Sequence, residues 1–180
     1  ENRCYSALYT YQEDGDVKIM LGTHVDDILY ACKPGYESFL KPIFDKFDVK
    51  KFEENEFRFC GREIKQDKVG NIAVTCKDTV EKTLPINWHA NGRSFDSKAT
   101  EGEISQLRSV VGSLAWVARQ CRPGLSYYCS KLQSVAPTAT LKYLKEANKI
   151  LNLAIQDSSK CLYYKAKAFD WNHAVLVTIT

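Results

Sequence analysis

The sequence predicts an α+β fold, and three observations carry that reading. Residues 4–31 and 56–75 alternate apolar with polar side chains and are punctuated by turn residues, the mark of antiparallel strands. Beyond residue 100 the apolar positions recur every three or four residues, which is the helical period. Between these regions, residues 85–99 (PINWHANGRSFDSKA) are rich in Pro, Gly, Asn and Ser and show little periodicity.

The elements follow in order. Residues 4–31 contain two strands joined by QEDGD and a third strand after VDD; Val17, Ile19 and Leu21 precede that bend, and Ile28, Leu29 and Tyr30 follow it. Tyr36, Phe39, Leu40, Ile43, Phe44 and Phe47 have helical spacing, and Pro42 is compatible with a helix only in its first turn. Glu56 to Thr75 reads as strand, turn at QDKVGN, strand, and a short helix is expected over Asp78 to Leu84. Thr100 and Glu103 form a T-x-x-E capping box, which starts a helix whose stripe is Ile104, Leu107, Val111, Leu114 and Ala118. Pro123 suits the first turn of the next helix, with Leu125, Tyr128 and Leu132 on its inner face. A third helix is expected from about Thr140 to Gln156, with Leu141, Leu144, Leu151 and Ile155 inward and Lys142, Lys145 and Lys149 on another face. CLYYKA and HAVLVTIT return to strand character.

Composition narrows the class. With 180 residues, 44% hydrophobic and 26% charged, the chain can bury a core as one domain or two small ones. No run approaches the roughly 18 apolar residues that span a membrane, so no membrane partner is expected. Seven scattered cysteines without a CxxC read as reduced thiols of an intracellular (cytoplasmic or nuclear) protein, and His24, His89 and His173 have no zinc spacing. A net charge of +3 establishes no polyanion ligand, although lysines cluster at 41, 46, 50 and 51 and again at 142, 145 and 149.

The stretch LGTHVDDILYA places two adjacent carboxylates, Asp26 and Asp27, at a bend inside an apolar run. In mid-strand neighbouring side chains point to opposite faces; at a tip both can reach one region. Close carboxylates repel each other, and a divalent cation relieves the repulsion. Mg²⁺ prefers oxygen ligands, commonly one or two carboxylates plus substrate phosphates. The bland alternative is a solvated acidic turn. Val-Asp is poor turn chemistry, because Gly or Asn is expected there, so backbone strain is predicted at the bend.

A second feature is Gly112, since glycine inside a helix costs about 1 kcal/mol relative to alanine. On a wheel of roughly 100° per residue, Arg108, Gly112, Trp116 and Arg119 fall together, away from the apolar stripe. Such a face suits a helix laid along a duplex. The alternative is a tight helix–helix contact at Gly112 with Trp116 in the core.

HVDDILYA resembles the YVDD box of reverse transcriptases. DKFDVKKFEENEFRFCGREI is similar to the copia-type segment that ends in a FLGIEI-like strand. EISQLRSVVGSLAWVARQCRPGLSYYCSKLQ resembles the thumb, where a helix bearing VG-x-L-x-W runs into a Pro-Gly turn and a second helix. LKEANKILNLAIQDSS is similar to the KRILRYLKGT helix that follows in copia-type elements. The resemblance implies a palm-to-thumb portion of a copia-type retrotransposon RNA-directed DNA polymerase. Its parts would be a partial palm with antiparallel sheet and helix over 1–86, a linker over 87–99, thumb helices over 100–136, and a connection helix and strands over 137–180 leading to a ribonuclease H domain.

The resemblance also implies roles. Asp26 and Asp27 would be the catalytic pair holding Mg²⁺ (or Mn²⁺), with Asp26 a direct ligand and Asp27 an ancillary one. Val25 would lie near the primer terminus, and Phe59, Cys60 and Gly61 match the primer-grip strand and turn. Arg108, Gly112, Trp116 and Arg119 would track the duplex. The implied partners are an RNA–DNA or DNA–DNA primer–template and, in the complete enzyme, deoxynucleotides. His24 departs from the family's usual Tyr; an imidazole so near a metal could compete for it. The family also needs a third carboxylate from an earlier palm strand and a fingers region, and VLVTIT resembles the first ribonuclease H strand, so the expectation is a slice of a polymerase that is inactive alone. Two rivals stand beside it: a non-catalytic nucleic-acid-binding remnant, and an interaction module with no nucleic-acid role.

Overall fold

A computed structural model describes residues 7–168 and shows the expected α+β class, with two antiparallel sheets and several helices. The chain divides into two compact units at the Cys60–Gly61 turn. The stretch 87–99, expected as a linker, falls inside the second unit.

In the first unit, β1 (Leu8–Glu13), β2 (Asp16–His24) and β3 (Asp27–Cys32) form an antiparallel meander. The first bend is Asp14–Gly15, both with positive φ (52° and 75°), the Asp-Gly pair that fits the twist of a tight hairpin. The register sets Tyr11 opposite Ile19, Leu21 opposite Tyr30, and His24 opposite Asp27. With a side-chain period of two, Ile19 and Leu21 share a face, and Leu40 closes over them. Tyr11, Ile28, Tyr30, Tyr36, Ile43 and Phe44 pack around this trio. The helix expected over 36–47 is two pieces, a 3-10 turn at Glu37–Phe39 and α1 at Lys41–Lys46. Pro42 explains the break: it has no N–H and is tolerated only in the first turn, where it stands. β4 (Glu56–Phe59) ends the unit.

The second unit carries the larger core. β5 (Arg62–Gln66), β6 (Ile72–Thr75) and β7 (Leu162–Tyr164) run antiparallel in that order. In the turn between β5 and β6, the Asp67 carboxylate accepts the backbone N–H of Val69 and of Asn71, both at 2.9 Å. Helix α2 (Lys77–Lys82) precedes α3 (Glu101–Gln120), α4 (Ser126–Val135) and α5 (Leu141–Gln156). Leu107, Leu132, Leu141, Leu144 and Leu151 are completely buried between these helices. On α3 the buried stripe is wider than its sequence suggests, since Val110 and Val117 join Leu107, Val111, Leu114 and Ala118 while Ile104 is half-exposed. On α4 the inner face is Cys129 and Leu132, with Leu125 of the preceding 3-10 turn (Pro123–Leu125) packed on the same core, and Tyr128 points outward, since Cys129 takes the inward position four residues after Leu125. On α5 the buried row adds Ala147, Ile150 and Ala154 to the three expected leucines, and Ile155 is half-buried. Cys4 and the segment HAVLVTIT lie outside the described residues; the six described cysteines are free thiols.

Residues 85–99 form a strap laid across the helices. The Asn148 amide accepts from Ile86 N–H at 2.8 Å and donates to its carbonyl at 2.9 Å. Gln106 accepts Asn87 N–H at 2.7 Å. The Arg93 guanidinium reaches both carboxylate oxygens of Glu103, at 2.7 and 3.2 Å. Glu103 also accepts Thr100 N–H at 2.8 Å, completing the expected capping box. Thr140 gives α5 no side-chain cap, and the strap substitutes for one: Leu141 and Lys142 donate their N–H groups to the carbonyls of Ser97 and Phe95. A stretch without periodicity is thus ordered by supplying hydrogen bonds that helix ends lack.

Candidate functional site

The bend between β2 and β3 is Val25–Asp26. Val25 has φ +55° and is 94% exposed. A β-branched residue rarely adopts this left-handed region, so the strain predicted from the Val-Asp pair is present, of order 1–3 kcal/mol. His24, Asp26 and Asp27 are exposed as well. Among the described residues neither the Asp26 nor the Asp27 carboxylate has a hydrogen bond or ion pair, which leaves all four carboxylate oxygens free to accept. Hard oxygen donors of this kind fit Mg²⁺ or Mn²⁺. No group of three or more potential ligands occurs among the described residues, so a cation here would complete its shell with water or with oxygens of another molecule. Phe59, at the end of β4, sets its ring edge-on to His24 with centroids 6.5 Å apart. This brings the first residue of the expected grip to the hairpin that carries the acids.

Cys60 and Gly61 both have positive φ, 49° and 73°, the dihedral signature of a two-residue primed turn. Gly61 is required twice over. A Cβ added there would also lie 3.3 Å from two atoms of the Trp116 ring. Trp116 is half-buried and packs against the helical core. Its ring thus serves as a floor under Gly61, and only part of it is open to solvent.

The rest of the α3 face is open. Arg108, Gly112 and Arg119 are exposed, and among the described residues neither arginine has a hydrogen-bond or ion-pair partner. A Cβ at Gly112 would meet nothing within 4 Å, so no helix packs against this glycine. The tight helix–helix contact weighed against the duplex face is therefore not what Gly112 serves. Beside it a cavity of about 290 Å³ is lined by Arg108, Val111, Gly112, Gln133, Ala136 and Pro137. Gln133 and Pro137 were not legible as site residues. Only the position of Gln133 next to the inward Leu132 hinted that it borders α3.

The lysine row of α5 is not a uniform cationic surface. Lys142 and Lys149 are exposed, whereas the Lys145 ammonium sits 4.8 Å above the Phe95 ring of the strap. No helix among the described residues is long and apolar enough to cross a membrane.

Fold and site together define an α+β chain with a paired-carboxylate hairpin and a helix bearing an open Arg-Gly-Arg face. Over 170 residues the chain is 24% identical to the "Putative transposon Ty5-1 protein" of Saccharomyces cerevisiae, a match covering 87% of this chain and 55% of that protein. The chain thus spans about half the length of the curated relative it matches, and it is distantly similar to a transposon protein. No family model matches it, and no solved structure does.

Proposed function

We propose that this chain is the palm-to-thumb portion of a copia-type RNA-directed DNA polymerase, acting on a primer–template duplex by metal-dependent nucleotidyl transfer. The observation that carries the reading is the hairpin tip: adjacent, exposed, unpartnered carboxylates on a strained turn that a Gly or Asn would have relaxed. Asp26 and Asp27 would hold the cation, which when bound neutralises developing charge on phosphate oxygens. The turn from Phe59 to Gly61 positions the primer end, and Val25, fully exposed at the tip, borders it. Positioning of this kind contributes much of the rate in phosphoryl and nucleotidyl transfer. On α3, Arg108 and Arg119 neutralise phosphates and Gly112 admits a backbone that any side chain would hold away. Trp116 contributes its open edge and supports Gly61 from below. Contacts of this kind read duplex shape, so affinity falls with salt and varies little with sequence.

His24, in the place of the family's Tyr, favours a second reading as a nucleic-acid-binding remnant whose hairpin no longer holds metal. Mg²⁺ titration followed by amide NMR separates the two. The polymerase reading expects saturable shifts at Asp26 and Asp27 that vanish in Asp26→Asn, and binding of an RNA–DNA hybrid that weakens in Gly112→Ala although the helix itself gains about 0.5–1 kcal/mol. Hybrid binding without any Asp26-dependent metal response identifies the remnant. With two tip carboxylates and no cluster of three ligands among the described residues, this chain by itself is expected to bind primer–template without extending it.

A further inference from the structure

The cavity beside Gly112 has a composition that the face of α3 alone does not supply. Arg108, Val111 and Gly112 line it from α3; Gln133, Ala136 and Pro137 line it from the end of α4 and the 3-10 turn that follows (Ala136–Thr138). Val111 and Ala136 are buried and give it an apolar floor, while Arg108 and Gln133 are exposed. Among the described residues neither of these two polar side chains has a hydrogen bond or ion pair. The space, about 290 Å³, lies at the lower end of ligand pockets, which run from about 300 to 1,000 Å³, so it suits a sugar-sized group rather than a whole cofactor. No acidic residue occurs in the sequence between Glu103 and Glu146, so α3 beyond Glu103 and the whole of α4 carry no carboxylate to repel an anion here.

We propose that Gln133 is the residue by which this groove distinguishes ribose from deoxyribose, reading the 2′-hydroxyl of an RNA strand whose phosphate Arg108 binds. The inference rests on the duplex-binding reading of the α3 face and adds the kind of strand that face prefers. The apolar floor suits the C–H edge of a sugar ring, and the missing Cβ at Gly112 leaves that ring room to approach. The Arg108 guanidinium offers donors only, which matches a phosphate. The Gln133 amide offers a carbonyl acceptor and two N–H donors, and a 2′-hydroxyl both donates and accepts. Of the lining side chains only Gln133 answers both halves of that group. A deoxyribose puts a C–H in the same place and leaves the amide to water. The difference is about one net hydrogen bond, so an RNA–DNA hybrid should bind roughly two- to tenfold more tightly than a DNA duplex of the same sequence. An apolar side chain of a protein partner would fit the floor equally well but would cover Arg108 without a counter-charge, which is why nucleic acid is the favoured occupant.

The test measures fluorescence anisotropy of the full chain with three labelled probes of one sequence at one salt concentration. They are a DNA duplex, an RNA–DNA hybrid, and a hybrid whose RNA strand carries 2′-fluoro groups. Fluorine keeps the sugar pucker of RNA but cannot donate, so the third probe separates the hydroxyl from duplex shape. The expected result is a preference for the natural hybrid over the DNA duplex that the 2′-fluoro hybrid loses. Gln133→Leu, at an exposed position, should bring the natural hybrid down to the affinity of the DNA duplex, whereas Arg108→Gln should weaken all three probes alike. Equal binding of hybrid and DNA duplex by the unaltered chain overturns the proposal, as does a preference that survives 2′-fluoro substitution or Gln133→Leu; each of these leaves the duplex-binding reading standing. Binding of none of the three probes overturns both together. If Gln133→Leu fails to fold, the comparison of the natural and 2′-fluoro hybrids on the unaltered chain decides alone.

Discussion

Glu103 offers the most quantitative test of how the second unit is held together. It is the one charged residue buried in the described structure, 7% exposed, and it receives two bonds from Arg93 as well as the Thr100 N–H. The Arg93 guanidinium, against the opposing effect of burial, holds its carboxyl down from 4.5 to about 2. At about 1.4 kcal/mol per pH unit, that depression corresponds to about 3 kcal/mol of folding stability. Arg93 is 30% exposed, so water screens its side of the pair, and about 2 kcal/mol is the expected measured effect. The sign follows from the lowered value. The contribution is fully present above the unfolded carboxyl's ordinary value near 4.5 and is lost as pH falls from there toward 2. Glu103→Gln keeps a group able to complete the capping box but leaves Arg93 without a counter-charge. Urea denaturation followed by far-ultraviolet circular dichroism at pH 7, 4, 3 and 2 compares the two chains. The variant should be less stable by about 2 kcal/mol at pH 7, and the gap should close toward pH 2. A gap that is absent at pH 7, or that persists undiminished at pH 2, refutes the assignment of this stability to the Arg93–Glu103 pair.

Two further predictions concern backbone conformation. Val25→Gly should stabilise the hairpin by about 1 kcal/mol, since it removes a β-branched side chain from positive φ at a position with no packing to lose; a lower melting temperature would contradict the strain reading. Gly61→Ala should destabilise by about 1–2 kcal/mol and change Trp116 fluorescence, because the new Cβ meets the indole at 3.3 Å and φ is +73°; unchanged emission would show that the ring does not lie under the turn.

Much was legible in the sequence because much of it is local. The capping box at Thr100 and Glu103 declares itself by residue type and spacing, and so do the Asp-Gly bend and the helical periods of α3 and α5. The tip is also a local feature: two adjacent acids on a bend with the wrong turn chemistry are visible in eleven letters, and Val25 at φ +55° is their physical consequence. Where the reading went astray, the deciding partner was remote in the chain. Residues 85–99 carry no period because their order comes from Asn148, Gln106, Glu103 and the open N–H groups of α5, which no local pattern announces. Tyr128 turned outward because Leu125, Cys129 and Leu132 make the inner row at spacings of four and three, and spacing alone fits Tyr128 and Cys129 equally well.

By itself, then, the sequence determined which segments are strands and helices, where α3 begins, and that the acids share a bend, because propensity, capping and turn chemistry act within a few residues. Tertiary structure alone decided that Gly112 faces open space while Gly61 faces an indole, and that residues 85–99 are ordered against the helices. Those outcomes depend on which surfaces the helices bury against one another, and close packing is settled by shape among residues that are distant in the chain.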